Sequence, residues 1–572
     1  MDKWSVARAL DEVARYVELG DPNPFRARAF ERAARAVEKL ETDLARLVAS
    51  GSIQKIDGIG KATGEIVGEL VRTGRSAYLE ELRSQYPAGI FELLRVPALG
   101  LKKVGVLHAE LGVSTLEELE QAAADGRVAK LKGFGPKTAQ KILEGIELAR
   151  ARHSKFLLPV GIEVGESLRA LLANIDEVEN AEVSGAVRRR LEVITRVEIV
   201  IATKHPDALA QRLLEVADDI EPLTETTYRG LARGEMEVLF HLAKPGDFGA
   251  AMLASTGSDE FLAAFEQRVR DAGFSLRNGV LHLAGRRVSA STEEALFERV
   301  GIPYVEPERR ENGDDLTRKR RPKLVQHSDL RGTFHVHTTW SDGRNSMIEM
   351  LRAARDRGFE YVGMSDHSKA AYYAGGLTEE QLDQQHAEIA RHEESVAPMR
   401  VFRGTEADIL LDGSIDYGAE VLDRFDFVVA SIHSTFKMER DAMTDRIVRA
   451  LDDPHVTFLG HLTGRLLLSR EGYQVDYERV FAKAAERGVI IEINGNPRRL
   501  DLDWRHIGRA LDHGVLFAIN PDAHSVSEYN AMLTGTWVAR KGGLSPKHIF
   551  NTRDAEEVGE WLGERKRVAA GP

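Results

Sequence analysis

The 572-residue chain contains no cysteine. That excludes disulfides, thiolate metal sites and cysteine nucleophiles, and leaves His, Asp and Glu as the side chains available to a metal ion. Long apolar runs are missing too: none approaches the roughly 18 residues of a membrane span. The start, MDKWSVARALDEVARYVELG, reads as an amphipathic helix without a signal-peptide core. Nor is there a surplus of positive charge. The formal net charge is −12, so nucleic-acid binding has to come from local patches and backbone amides instead of bulk attraction. These absences lead us to expect a cytoplasmic monomer with no membrane attachment. With 43% hydrophobic and 29% charged residues, the chain has a globular composition, and its length points to several domains.

Residues 1–150 carry helical periodicity broken by short glycine turns. From about 153 helix and strand alternate, with RVEIVIAT and GEMEVLFHL as the strongest strands. After Tyr304 the run VEPERRENGDDLTRKRRPKLVQHSD is dense in charge and reads as a linker that leaves the placement of the last domain open. Beyond it the β-rich runs YVGMSD, FVVASIH, TFLGH, VIIEING and LFAIN alternate with amphipathic helices, as in an α/β barrel or layered domain.

Three N-terminal segments share one design: IDGIGKATGEIV, VPALGLKKVGVL and LKGFGPKTAQKIL. Each reads as helix, glycine hairpin, helix, around Gly58 and Gly60, Gly100, and Gly133 and Gly135. The first amides of the second helix then face outward where a phosphate can accept them, and Lys61, Lys102, Lys103 and Lys137 add charge. They resemble helix-hairpin-helix modules, which hold DNA by its backbone. One such domain, then a tandem, then an α/β segment resembles the family X DNA polymerases.

That resemblance continues in GAVRRRLEVITRVEIVIA, GEMEVLF and STGSDEF. It implies a Gly-Ser pair with arginines for a triphosphate, and three aspartates for two metal ions. Here Gly185 is followed by Ala186, Arg196 and Glu198 stand for the paired aspartates, and Glu237 stands for the third. An arginine repels cations where the metals need carboxylate oxygen, so the palm is read as degenerate and poorly provided for magnesium or manganese. Arg188 and Arg189 remain as candidate phosphate contacts, and Thr256, Gly257 and Ser258 remain of the later motif, with Ala254 and Ser255 where the family has aromatics. Ile66 stands where the Schiff-base lysine of the family's lyase chemistry is expected, while Arg26 and Arg28 could meet a 5′ phosphate.

The strongest motif is GTFHVHTTWSDG, whose His335 and His337 are expected on one face of a strand, with Asp342 in the next turn. Further His and acidic residues end later strands: His367, Glu406, His433, His461, Asp522 and His524. Strand ends face a common mouth in an α/β barrel. From 328 to 567 the set resembles the PHP family, the polymerase and histidinol phosphatase domains. The resemblance implies that these nine residues hold up to three ions. Manganese is foremost, with zinc or iron possible from the nitrogen and oxygen donors. Thr333 and Pro521 depart from the family pattern without removing a ligand, and Asp366, Glu492 and Asn494 are read as supporting residues. Arg465 and Lys437, beside His461 and His433, are candidate phosphate contacts.

The whole chain resembles bacterial family X polymerases fused to a PHP domain. The expected fold is multidomain. A lyase-like helical domain (1–82) and a fingers-like one (83–152) precede an α+β nucleotidyltransferase-like palm (153–242) and thumb (243–305), a linker (306–327) and a distorted (β/α)7-type PHP barrel (328–572). The implied function is DNA repair at the nucleoid, by metal-dependent 3′–5′ exonuclease and 3′-end or abasic-site cleavage on gapped, nicked or 3′-ended DNA. The alternatives are a gap-filling polymerase taking dNTP through Glu198 and Glu237, a DNA-binding repair scaffold, and a small-molecule phosphoesterase.

Overall fold

The computed structural model describes residues 3–20, 24–38, 40, 44–56, 58–87, 90–97, 99–152, 154–232, 236–277, 280–318 and 323–569. The chain forms two compact units, Met1–His153 and Ser154–Pro572. Among the described residues no helix is long and apolar enough to cross a membrane.

The first unit is helical. In Lys3–Gly20 the buried Val6, Leu10, Val13 and Val17 recur at helical spacing and pack with Phe30, Ala33, Ala34 and Val37 of Pro24–Glu38. The glycine turns precede Lys61–Thr73, Leu101–Leu111 and Pro136–Arg152. Their lead-in segments are not full helices, contrary to expectation, but short 3-10 helices at Ile53–Lys55, Ile90–Arg95 and Val128–Lys130. In the first and third, positive-φ glycines bracket the segment, Gly51 with Gly58 and Gly126 with Gly133, and leave room for little more than one turn. Ala98 of the second turn lies outside the described residues.

The second unit opens with a five-stranded sheet: β1 (Asn180–Ser184), β2 (Arg196–Ala202), β3 (Asp218–Pro222), β4 (Thr227–Ala232) and β5 (Met236–Ala243), in order β1-β2-β5-β4-β3. Only β2 and β5 run parallel, with Arg196 opposite Glu237; the first two residues of GEMEVLF are outside the described set. The helices Phe248–Thr256, Asp259–Asp271 and Glu293–Arg299 follow, around a core of Phe261, Phe265 and Phe297.

Seven parallel strands then pair in sequence order: β6 (Gly332–Val336), β7 (Tyr361–Met364), β8 (Arg400–Asp408), β9 (Phe427–Ser431), β10 (Val456–Leu459), β11 (Ile490–Asn494) and β12 (Phe517–Asn520). The first and last nearly close a barrel, since the His337 amide donates to the Ala523 carbonyl at 2.9 Å and the Ala523 amide to that of His335 at 3.2 Å. Each strand gives an apolar side chain to one cluster: Phe334, Tyr361, Phe402, Phe427, Phe458, Ile490 and Ala518. That plug fills the barrel below its polar end. Thr333 packs on Met532 Sδ at 3.1 Å.

The charged stretch after Tyr304 is not an open tether. Val305, Arg310, Leu316, Leu324 and Val325 are buried, and several of its described charges are paired. Arg540 of the barrel domain binds Glu308, and Lys541 Nζ lies 2.5 Å from Glu311. Residues 319–322 are outside the described set.

Candidate metal centre

The structure brings the nine residues together at the C-terminal ends of the barrel strands. His335 does not get there by simple strand alternation. Its φ is +61°, and the β6–β7 register shifts between Thr333 and Val336, so a bulge aims the imidazole inward. Asp522, at φ +52°, is the second strained position.

Glu406 is the hub. Its Oε1 lies 3.1 Å from His335 Nε2, 3.0 Å from His461 Nε2 and 3.3 Å from His433 Nε2. Its Oε2 lies 3.0 Å from His367 Nδ1 and 3.6 Å from His337 Nε2. On the open side Asp342 Oδ1 stands 3.2 Å from His524 Nε2 and 3.6 Å from His367 Nε2, and Asp522 Oδ1 stands 3.4 Å from His337 Nε2. His335 Nε2, both nitrogens of His337, and Nδ1 of His367 and of His461 are buried without a hydrogen bond. Buried imidazole nitrogens without partners, aimed among carboxylates, are what a metal ion needs. The residues fit several ions.

Electrostatics point the same way. Burial works against charge on Glu406 and Asp522, yet the surrounding histidines hold both well below the ordinary carboxylate range. Burial likewise opposes charge on His433 and His524, but Glu406 and Asp408 lift the first to about 10, and Asp342 and Asp522 lift the second to about 9. Burial, helped by His337 and His433, pushes His367 down to about 3.

A supporting layer fixes the ring orientations. Glu492 Oε2 lies 2.6 Å from His335 Nδ1, and its Oε1 accepts the His461 amide at 3.1 Å. Asn494 Nδ2 donates to Glu492 at 2.9 Å and to Asp522 at 3.1 Å. Asp366 instead grips Thr338, Ser341 and Gln385, which shapes the turn leading to Asp342. Sequence reasoning missed Asp408, 2.7 Å from His433 Nδ1; its two-residue spacing from Glu406 on β8 was the available signal.

Arg465 does not serve the centre. It is held by Asp503 at 2.5 Å and by the carbonyls of Arg499 and Leu500. Lys437 is exposed. Among the described residues, the arginine or lysine paired with a cluster carboxylate is Arg499, with Nε 3.4 Å from Asp522 Oδ2.

Family models described as PHP domain and DNA polymerase beta thumb match residues 333–496 and 251–311. A helix-hairpin-helix domain and a SAM-like helix-hairpin-helix tandem match 1–76 and 90–147. The DNA polymerase/3′-5′ exonuclease PolX of Bacillus subtilis is 33% identical over 569 residues, 98% of this chain and 99% of that protein. The chain belongs to the bacterial family X DNA polymerases with a C-terminal PHP domain. A probable phosphatase of Thermoanaerobacter sp. is 26% identical over 251 residues, 41% of this chain and 96% of its own length. Another, from Vibrio parahaemolyticus, is 30% identical over 204 residues, 33% of this chain and 76% of its own length.

In this family X chain the palm cleft is lined by Ala186, Arg189, Arg196, Glu198, Ser255 and Ser258, among others. Arg196 occupies the carboxylate cluster: its Nε is 3.1 Å from Glu198, its Nη1 3.9 Å from Glu237. His241 Nε2 takes the other Glu198 oxygen at 3.1 Å. Burial disfavours the Glu198 charge, but His241 and Arg196 hold its carboxyl below the usual range. Gly185 takes φ +63°, the left-handed region that favours glycine, with the Glu198 carboxylate packed against it.

Arg188 and Arg189 are not open to a triphosphate. Arg188 binds Glu293 at 2.6 Å and Thr256 Oγ1 at 3.0 Å; Arg189 binds Glu311 at 3.0 Å and the Thr256 carbonyl at 2.7 Å. Gly257 packs on Leu262, and Ser258 caps the helix Asp259–Asp271 by accepting the Phe261 amide at 3.0 Å. In the first unit, Gly58, Gly60, Gly100, Gly133, Gly135, Lys61, Lys102 and Lys137 are exposed and Lys103 is half-buried. Gly60 and Gly100 precede their helices with no side-chain cap, which leaves first-turn amides for a phosphate.

Proposed function

We propose that this chain removes nucleotides from DNA 3′ ends by hydrolysis at the PHP cluster, as a repair nuclease, with manganese as the working metal. The observation that carries the reading is Glu406: five imidazoles surround its two oxygens, and several of their buried nitrogens have no partner. Bound there, metal ions supply an activated water and offset phosphate charge. The protein does the rest. Glu406, Asp342 and Asp522 give anionic oxygen, Glu492 and Asp408 hold His335 and His433 in register, and Arg499, paired with Asp522, would offer its cation to a phosphate. The glycine turns hold the DNA backbone without reading sequence, which makes DNA the substrate in preference to a small phosphate ester.

Chelator-stripped protein is expected to lose degradation of a 5′-labelled oligonucleotide and to regain it with manganese. Arg196→Ala is expected to leave that activity unchanged, since it lies in the palm. Activity that survives complete metal removal, checked by metal analysis, overturns the assignment. A purified protein with no bound metal and no nuclease activity under manganese favours the scaffold.

A second reading, gap filling by the palm, is favoured by Glu198 and Glu237 standing on adjacent parallel strands, each within 4 Å of Arg196. Arg196 argues against it, because its cation stands where two ions would bind. Extension of gapped DNA is therefore expected to be undetectable with magnesium or manganese. Incorporation that disappears in Glu198→Gln reverses this ranking.

A further inference from the structure

Directly after His367 the chain makes a short loop, 368–377, whose base is tightly built. Ala371 and Ala374 are buried, and the amide of Leu377 donates to the His367 carbonyl at 2.8 Å. A Cβ on Gly376 would stand 1.9 Å from the Ser368 carbonyl oxygen, so the backbone there has one arrangement. Two large side chains leave this fixed base for solvent: Tyr372 is 86% and Tyr373 60% exposed. Neither hydroxyl has a hydrogen-bond partner among the described residues. Their rings meet edge to face at 6.1 Å, and the Tyr373 ring is 6.4 Å from that of His433. The rings add little to the loop's own packing, yet the Tyr373 ring lies against His433 at the rim of the metal centre, with Tyr372 beside it.

The surroundings are those of a nucleic-acid contact. Contact with His433, whose Nε2 is 3.3 Å from Glu406, sets the Tyr373 ring beside the cluster, and burial with the carboxylates of Asp408, Glu406 and Asp342 raises its pKa, Arg499 opposing. An aromatic face beside an arginine is how proteins hold nucleobases and their phosphates together.

We propose that Tyr372 and Tyr373 form a corner against which the 3′-terminal nucleobase packs, its face on one ring and its edge on the other, which makes them positioning residues for the nuclease. The proposal rests on the PHP nuclease reading. A stacked 3′-terminal base fixes its own sugar and 5′ phosphate, so the bond to be cut arrives over Glu406 and Asp342 in one orientation. Stacking is indifferent to base identity, in keeping with a nuclease that reads no sequence.

The test pairs protein and substrate changes in the full chain with manganese. Tyr372→Ala and Tyr373→Ala are expected to raise KM about tenfold on an ordinary 3′ end, with kcat close to wild type. The corresponding Phe variants keep the face and are expected to match wild type. On an oligonucleotide whose last residue is a tetrahydrofuran abasic analogue, wild type and the Ala variants are expected to coincide. Equal KM values on the ordinary end, or the same loss on both ends, overturn the proposal. Glu406→Gln separates the two readings: if that variant stays active the nuclease assignment itself fails, whereas a silent Glu406→Gln beside unaffected tyrosine variants removes only the corner.

Discussion

Glu406→Gln is expected to silence the nuclease by about a thousandfold, equivalent to about 4 kcal/mol of transition-state stabilisation. The substitution keeps the shape of a buried side chain and removes its charge. One oxygen becomes an amide that donates, and it would face His335, His433 and His461 on one side or His337 and His367 on the other. Both halves of the cluster lose their shared anion, so the bound-metal count measured on purified protein is expected to fall together with the rate. DNA affinity is expected to hold, because the glycine turns lie in a separate unit. A variant that retains its metals and its rate removes Glu406 from the centre.

Glu293→Ala is expected to cost about 3–5 kcal/mol of stability, read as a lower denaturant midpoint, because it strands a buried cation. The Arg310 side chain is fully buried, and Glu293 is its carboxylate partner. The same carboxylate holds Arg188 at 2.6 Å and accepts the Tyr304 hydroxyl at 3.3 Å. Burial disfavours the Glu293 charge, but Arg310 and Arg188 outweigh it and hold the carboxyl below its ordinary 4.5. A depressed folded-state pKa means that the unfolded chain binds the proton more readily. The contribution is therefore complete above about pH 4.5 and fades as pH falls towards the folded value. Wild type is expected to lose stability over that acid range, and the variant to lose less there. A variant as stable as wild type at pH 7 shows that Arg310 finds another partner.

Much of the barrel was legible because its strands are short apolar runs with a His, Asp or Glu at one end. That pattern places the nine residues in one mouth once the strands are taken as parallel. The alternation argument for His335 and His337 leaves out how His335 is aimed, because a bulge and a positive φ are set by the pairing of β6 with β7 and with the segment after β12. Arg465 was chosen for sitting near His461 in sequence. Arg499 is paired with a cluster carboxylate because the chain folds back after β11, and distance along the chain carries no trace of that.

The charge-dense run after Tyr304 shows the same limit in energetic terms. Read alone, it is hydrophilic and linker-like. Its neutralising partners lie far away, with Arg540 and Lys541 more than 200 residues on from Glu308 and Glu311, so burial of these charges becomes possible only in the assembled unit. The absence of cysteine at the outset had already fixed the class of donor. The sequence by itself determined that any metal is held by His, Asp and Glu, that these residues end successive strands, and that Arg196 stands among the palm carboxylates. Only the tertiary structure decided that Glu406 is shared by five imidazoles, that Arg188 and Arg189 are occupied, and that two tyrosines stand at the rim. Those facts depend on which distant side chains meet within a few ångströms, and periodicity and composition carry no record of that.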